Sequence, residues 1–180
     1  MALRNLTDLR QALAPGKRLL GLDLGSKTIG LAVSDPGLSV ASPIGALKRG
    51  KFTADARELA KLMAERGVGG LVIGLPVNMS GDEGPAAQAA RQYALNLLER
   101  GDIFPQQPEI ALWDERMSTM AVNRLLVDQA DLSRKRRAEV VDKMAAAYIL
   151  QGALDALRHQ AARAAAALED DRDDDSDSDL

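Results

Sequence analysis

Asp23 lies in "RLLGLDLGSKTIGLAVSD", residues 18–35, a run that otherwise reads as buried β-strand, with a glycine two residues to either side. Alternate residues of a strand share a face, so Leu19, Gly21 and Asp23 look one way and Leu20, Leu22 and Leu24 the other. Gly21 and Gly25 leave the backbone bare around the carboxylate, and Gly30 and Ala32 of the following run add nothing larger. A bare backbone around one acid lets a phosphate, or a metal carrying one, approach closely. The same residues also suit two packing glycines around an aspartate that accepts turn hydrogen bonds, so this short pattern decides nothing alone.

Further acids bear on the choice. "EIALWDER" reads as a strand ending in Asp114 and Glu115, and ligands of open α/β sheets gather at the carboxyl ends of parallel strands. The two point to opposite faces, so one of them faces a site there and the other serves as a salt-bridged strand end. Nearer the C-terminus, Asp142, Ala145, Ala146 and Ile149 fall at i, i+3, i+4 and i+7, a single helical stripe. An unpaired carboxylate on a packing face is costly and calls for a cation or donors, unless Asp142 sits at the rim against Lys143 or Arg136. Glu139, one turn earlier, offers a fourth oxygen ligand. Carboxylates converging from separate elements describe a hard-cation site for Mg²⁺ or Mn²⁺. Two such ions about 4 Å apart activate water and stabilise the leaving oxygen of a phosphodiester, with Asp23 as the central ligand.

Composition narrows the chemistry in the same direction. The 180 residues include no cysteine and one histidine, His159, which removes disulfides, thiolate chemistry and any His-rich zinc site. No segment reaches the roughly 20 apolar residues that span a bilayer, and the N-terminus is not a signal peptide, so a cytoplasmic protein with no membrane association is expected. Residues 169–180, "EDDRDDDSDSDL", hold eight acids and one arginine, which leaves 22 bases against 18 acids in the rest. The acidic block is expected to be disordered. The body is mildly basic.

The elements that must position the acids follow from periodicity. Two β-runs joined at Gly25-Ser26-Lys27 form a hairpin, and "SVASPIGAL" is a third strand. "FTADARELAKLMAERG" has helical spacing, with Thr53 as N-cap and Gly67 past the end. "GLVIGLP" is a buried, parallel strand. After the loop "VNMSGDEGP" come a helix from about Ala86 to Glu99, the strand "PEIALWDE", a helix over "STMAVNRLLVDQ" capped by Ser118 or Thr119, and a long helix from near Ser133. The order β-β-β-α-β-α-β-α-α predicts an α/β fold with a five-stranded mixed sheet and helices on both faces, an arrangement that the RNase H-like fold shares. The expected boundaries are an N-terminal extension over 1–16, an RNase H-like nuclease domain over 17–165, and a disordered acidic tail over 166–180.

Taken in order, "GLDLGSKTIGLAVSDP", "GLPVNMSGDEGP", "DERMST" and "VDKMAAAYILQ" resemble the signature of the YqgF/RuvX family over roughly residues 17–152. The resemblance implies an RNase H fold, a divalent metal, and a nuclease that matures the 5′ end of pre-16S rRNA, some members acting on branched DNA. It carries the family's first-strand acid to Asp23, the acid of its Asp-Glu-Arg motif to Glu115 with Asp114 beside it, and its last-helix acid to Asp142. One departure stands in the loop, where the family commonly reads Asn-Met-Asp-Gly and this chain has Asn78-Met79-Ser80-Gly81. An essential carboxylate at position 80 is therefore not expected, and Asn78 and Gly81 are assigned to a substrate loop.

Nucleic acid is the expected partner, as pre-rRNA or branched DNA. Arg134, Lys135, Arg136 and Arg137 precede Asp142, while Lys27 and Arg116 stand beside the other motifs. Positive charge next to a carboxylate site attracts phosphates without regard to sequence. Four bases at a helix N-terminus oppose its dipole, so helix stability does not explain them. Aromatic residues are few, which favours structured or duplex nucleic acid over a stacking platform. Three other readings compete: a Holliday junction resolvase, which would act as a homodimer; one lobe of an ATP-binding fold, which needs two; and an inactive module that only binds rRNA or protein.

Overall fold

The computed structural model describes residues 3–117 and 134–174, and side chains within the last helix from residue 144 to 169. The helix expected over "STMAVNRLLVDQ" lies outside the described residues. The first hairpin comprises β1 (Arg18–Leu24) and β2 (Thr28–Ser34), which pair antiparallel with Asp23 opposite Gly30 and Gly21 opposite Ala32. β3 (Ala41–Lys48) adds to β2 antiparallel. α2 (Phe52–Arg66) then carries the chain across to β4 (Val68–Leu75), parallel to β1, and α3 (Pro85–Glu99) carries it to β5 (Glu109–Asp114), parallel to β4. The resulting order, β3-β2-β1-β4-β5, is the five-stranded mixed sheet of the RNase H-like fold.

Both faces of the sheet are covered, which is why its central strands are apolar throughout. Leu20, Leu22, Ile29, Leu31, Leu71 and Ile73 form one core with Ala56 and Leu59 of α2 and Tyr93, Ala94 and Leu97 of α3. Leu19, Ala32, Val72, Ala111 and Trp113 form the other with Ala146, Ile149, Leu150 and Leu154 of the last helix, α4 (Arg134–Asp174). Each fully buried leucine or isoleucine contributes about 1.5–3 kcal/mol. The alternation read for β1 therefore holds: Leu20 and Leu22 face α2 and α3, and Leu19 and Gly21 face α4.

The N-terminal segment belongs to this second core rather than standing apart as an extension. Asn5 caps α1 (Leu6–Ala12) by accepting from the Asp8 amide at 2.8 Å, and Leu6, Leu9 and Leu13 are buried on the α4 side. The Arg4 amide donates to the Ile110 carbonyl, 2.9 Å, at the edge strand. A second correction concerns α2, whose N-cap is Lys51 rather than Thr53. Phe52 opens the helix by packing edge-on against Tyr93 at 5.3 Å, and the Thr53 hydroxyl accepts from Arg100 instead. Gly67 ends α2 in the left-handed region at φ 65°, as expected of a glycine there. At the other terminus α4 continues to Asp174, into the stretch expected to be disordered from 166. Its alanine-rich run is a strong helix former and is exposed from Arg158 to Glu169.

At the far end of β2 from Asp23, Asp35 organises the turn into β3. Its carboxylate accepts from the amides of Ser39 at 2.7 Å, Val40 at 2.8 Å and Gly37 at 3.1 Å. These bonds, led by the one from Val40, hold the Asp35 carboxyl below its ordinary value of 3.8. A group whose folded pKa is depressed adds stability above its unfolded pKa and loses it as pH falls through the folded value. Asp35→Ala is expected to cost about 1–2 kcal/mol in urea unfolding at pH 7, with the gap to wild type closing as pH falls below 3.8. A gap that stays constant down to the acid limit would mean that the charged form is not what these amides stabilise.

Candidate active site

α4 reaches the sheet at unusually short range because β1 and β4 offer glycine where it crosses. A Cβ on Gly21 would lie 2.7 Å from the Leu150 Cβ and 2.9 Å from the Ala146 carbonyl oxygen, so no side chain fits between helix and strand. Gln151 fixes the same helix to the β2–β3 turn, accepting from the Ala41 amide at 2.8 Å and donating to the Ser39 carbonyl at 3.0 Å. Asp23, half-buried, follows Gly21 on the same face of β1.

Gly74 of β4 does the decisive work. The β1–β4 register pairs Leu22 with Ile73, and its next step places Asp23 beside Gly74. A Cβ on Gly74 would lie 2.6 Å from Glu115 Oε1 and 2.6 Å from Ile149 Cδ1. The Glu115 carboxylate thus occupies the volume that any other residue at 74 would fill. Neighbouring strands run about 4.8 Å apart, so Asp23 stands one strand away from the backbone that the Glu115 carboxylate covers, on the same α4 face. The pairing of Gly74 with Trp113, a residue of the α4-side core, explains which acid comes inward. Asp114, the next residue, faces the other way, and the short 3-10 turn Glu115–Met117 brings Glu115 back.

Asp114 instead holds Arg116. The guanidinium approaches its carboxylate at 2.6 Å through Nη2 and 3.0 Å through Nε, and the Arg116 amide adds a bond of 3.0 Å. The Arg116 side chain, through these bonds, keeps the Asp114 carboxyl below the usual carboxylate range. Arg116 Nη1 also donates to the Asn78 carbonyl at 3.4 Å, tying the strand end to the loop after β4. Within that loop the Gly81 amide closes onto the Asn78 carbonyl at 2.8 Å, and Gly81 takes φ 94°, a conformation that favours glycine. Ser80, where the family commonly has aspartate, donates to Asp82 at 2.9 Å. Lys27 is exposed in the β1–β2 turn.

Asp142 lies in α4 one turn before Ala146, whose carbonyl abuts Gly21. The side chains of Asp142, Glu139, Arg134, Lys135, Arg136 and Arg137 lie outside the described residues. Among the described residues no three of His, Cys, Asp and Glu come together in a metal-holding group. Asp23 and Glu115 are brought to the same face of the sheet, and carboxylate oxygens are the donor type that suits a divalent cation. Hard oxygen donors of this kind suit a hard divalent cation rather than softer ions. Sequence reasoning did not single out Gly74 or Arg49. The signal for the first was a second glycine inside a buried strand, and for the second the "KRGK" run that ends β3. No helix among the described residues is long and apolar enough to cross a membrane.

A protein-family model described as "RuvX: Holliday junction resolvase" matches residues 17–156. A protein of Rhodospirillum centenum named "Putative pre-16S rRNA nuclease" is 60% identical over 173 residues, covering 96% of this chain and 91% of that protein. One of Phenylobacterium zucineum with the same name is 58% identical over 159 residues, covering 88% and 99%. Among solved structures, T. thermophilus RuvC in complex with Holliday junction substrate overlays with a TM-score of 0.45 and 10% identity, covering 78% of this chain and 96% of that one.

The patch over Gly74 can be closed by one methyl group. Gly74→Ala is expected to displace the Glu115 carboxylate and Ile149, lowering stability by about 1–3 kcal/mol. It should also shrink the rise in melting temperature that Mn²⁺ gives the wild type, since a metal bound only by the folded state stabilises by mass action. A full Mn²⁺ response in a folded Gly74→Ala protein would separate Glu115 from the metal.

Proposed function

This chain belongs to the RuvX family, and from that premise we propose that it is a metal-dependent nuclease that hydrolyses phosphodiester bonds of structured nucleic acid and processes the 5′ end of pre-16S rRNA. The observation that supports the chemistry is the Glu115 carboxylate packed onto Gly74, on the strand next to Asp23 and on the same face of the sheet. The relatives' shared name, over nearly the full length of this chain, supports the substrate.

Asp23 and Glu115 would hold the divalent ion, Mg²⁺ or Mn²⁺, with Asp142 as third ligand and Glu139 as fourth. When bound, the ion would supply Lewis-acid polarisation of the phosphodiester and would lower the pKa of a coordinated water. The chain's own groups do the rest. Glycines 21 and 74 let α4 and the Glu115 carboxylate close onto the strands, which brings Glu115 to the face of the sheet that carries Asp23. Arg116 holds the Asn78–Gly81 loop beside the strand ends, where that loop borders the substrate. Lys27, Arg134, Lys135, Arg136 and Arg137 offer phosphates positive charge, a sequence-independent attraction. Asp114 stays with Arg116 and orients it rather than binding metal. Such a protein acts in the cytoplasm, where its rRNA is made.

The family description favours one second reading, resolution of four-way DNA junctions, for which a homodimer would be needed to cut two strands symmetrically. Incubating a pre-16S 5′-leader RNA and a four-way DNA junction in parallel, with Mg²⁺, Mn²⁺ or a chelator, separates the two. The RNA is expected to be cut at the mature 5′ end in either metal and left intact with chelator. Asp23→Asn and Glu115→Gln should lose activity on the order of a hundredfold or more while still folding, and Asp114→Asn should retain more. Wild-type cleavage by Asp23→Asn in the presence of metal would contradict the carboxylate mechanism.

A further inference from the structure

On the face of the sheet opposite α4, but at the same strand ends, a groove runs between the β1–β2 turn and α3. It begins as a cavity of about 210 Å³ lined by Leu24, Gly25, Ser26 and the small residues Ala86 and Ala90, and continues into one of about 340 Å³ lined by Asp55, Tyr93, Gln92 and Asn96. Arg49 and Ala89 line both, so the two adjoin. The near end of the groove, at Leu24, is one residue along the chain from Asp23.

Two features at this groove are not explained by the fold. Tyr93 is only 5% exposed, yet its hydroxyl has no hydrogen-bond partner, a cost of about 1–3 kcal/mol for an unsatisfied buried group. Burial, and secondarily the nearby Asp55 charge, push that hydroxyl's pKa up to about 12, so it remains a donor at any working pH. Arg49, exposed, lays its guanidinium over the Tyr93 ring at 5.7 Å and donates through Nη1 to the Gly25 carbonyl at 2.7 Å. Those contacts fix the group at the junction of the two cavities and leave other N–H donors facing solvent. Lys27, Lys48 and Lys51 are exposed around the same end.

We propose that this groove is a subsite for a nucleotide of the substrate strand flanking the one at Asp23 and Glu115, with Arg49 contacting its phosphate and Tyr93, Asn96 and Asp55 meeting the edge of its base. The inference rests on the nuclease reading and adds the subsite to it. Charge sets the orientation. Gly25, Ser26 and Arg49 suit a phosphate, whereas the carboxylate of Asp55, whose Oδ1 accepts from the Gly50 amide at 3.0 Å, repels one and accepts from base N–H groups. The alanines of α3 leave room for the sugar between the two ends.

Fluorescence anisotropy in EDTA, so that nothing is cut, tests the assignment with RNA hairpins that carry a short 5′ single-stranded extension and each of the four bases in turn at every extension position. Arg49→Gln should bind all of them more weakly and flatten the slope of log affinity against log salt by about one. Tyr93→Phe should keep the wild-type slope and lose a base preference of about tenfold at one position. Its melting temperature should not fall, because the hydroxyl it removes bonds to no protein group. Wild-type slope and base preference in both variants would overturn the subsite and leave the groove to a protein partner. Should the wild type bind none of the hairpins, the subsite falls together with the nuclease reading; should it bind them in EDTA and cleave pre-16S leader RNA in a parallel reaction with Mg²⁺ or Mn²⁺, while neither variant differs in binding, the subsite falls alone.

Discussion

The approach of α4 to the bare backbone of β1 and β4 sets the geometry on which the rest of the site depends. At Gly21 the helix touches strand through Leu150 and the Ala146 carbonyl, and at Gly74 through Ile149, with the Glu115 carboxylate pressed into the same gap. Interiors are packed to crystal density, so a methyl group at Gly21 has nowhere to go, and one at Gly74 must displace the ends of the Glu115 and Ile149 side chains. The same absence of side chains that admits the helix also admits Glu115, from the turn after β5, onto the strand next to Asp23. Packing and chemistry are thus two uses of one surface. The core on this face, Leu19, Val72, Trp113, Ile149 and Leu150, stabilises the helix in the position that the acids require.

Much of this was legible in the sequence because strands have a period of two. Alternation alone assigned Gly21 and Asp23 to one face of β1, and the observed register set Gly30 and Ala32 opposite them. The topology followed from the alternation of apolar runs and helical stripes, with Gly67 marking a helix end that the structure reproduces in the left-handed region. Alternation could not say whether Asp114 or Glu115 turned inward. That depends on the pairing of Gly74 with Trp113 across strands 39 residues apart, a long-range fact that no local pattern contains.

Other features were missed for equally physical reasons. The N-terminal helix is seven residues long, too short for periodicity to distinguish, and only tertiary burial of Leu6, Leu9 and Leu13 makes it part of the fold. Thr53 reads as a cap because threonine often is one, but the contact of Phe52 with Tyr93 starts the helix before it. Arg49 and Tyr93 lie 44 positions apart and meet only because β3 ends over α3. Arg116 reads as a phosphate ligand, yet its guanidinium is turned to Asp114 and the Asn78 carbonyl, which makes it a brace between strand end and loop.

The central claim is that Asp23 and Glu115 share a hard cation over the bare backbone at Gly74. Anomalous diffraction from crystals of the full chain soaked in Mn²⁺ tests it directly. A peak is expected within coordination distance of both carboxylates, at about 2.0–2.6 Å by analogy with other hard divalent ions, and Gly74→Ala crystals should lack it. A peak elsewhere, or one that contacts neither Asp23 nor Glu115 in the wild type, would contradict the claim.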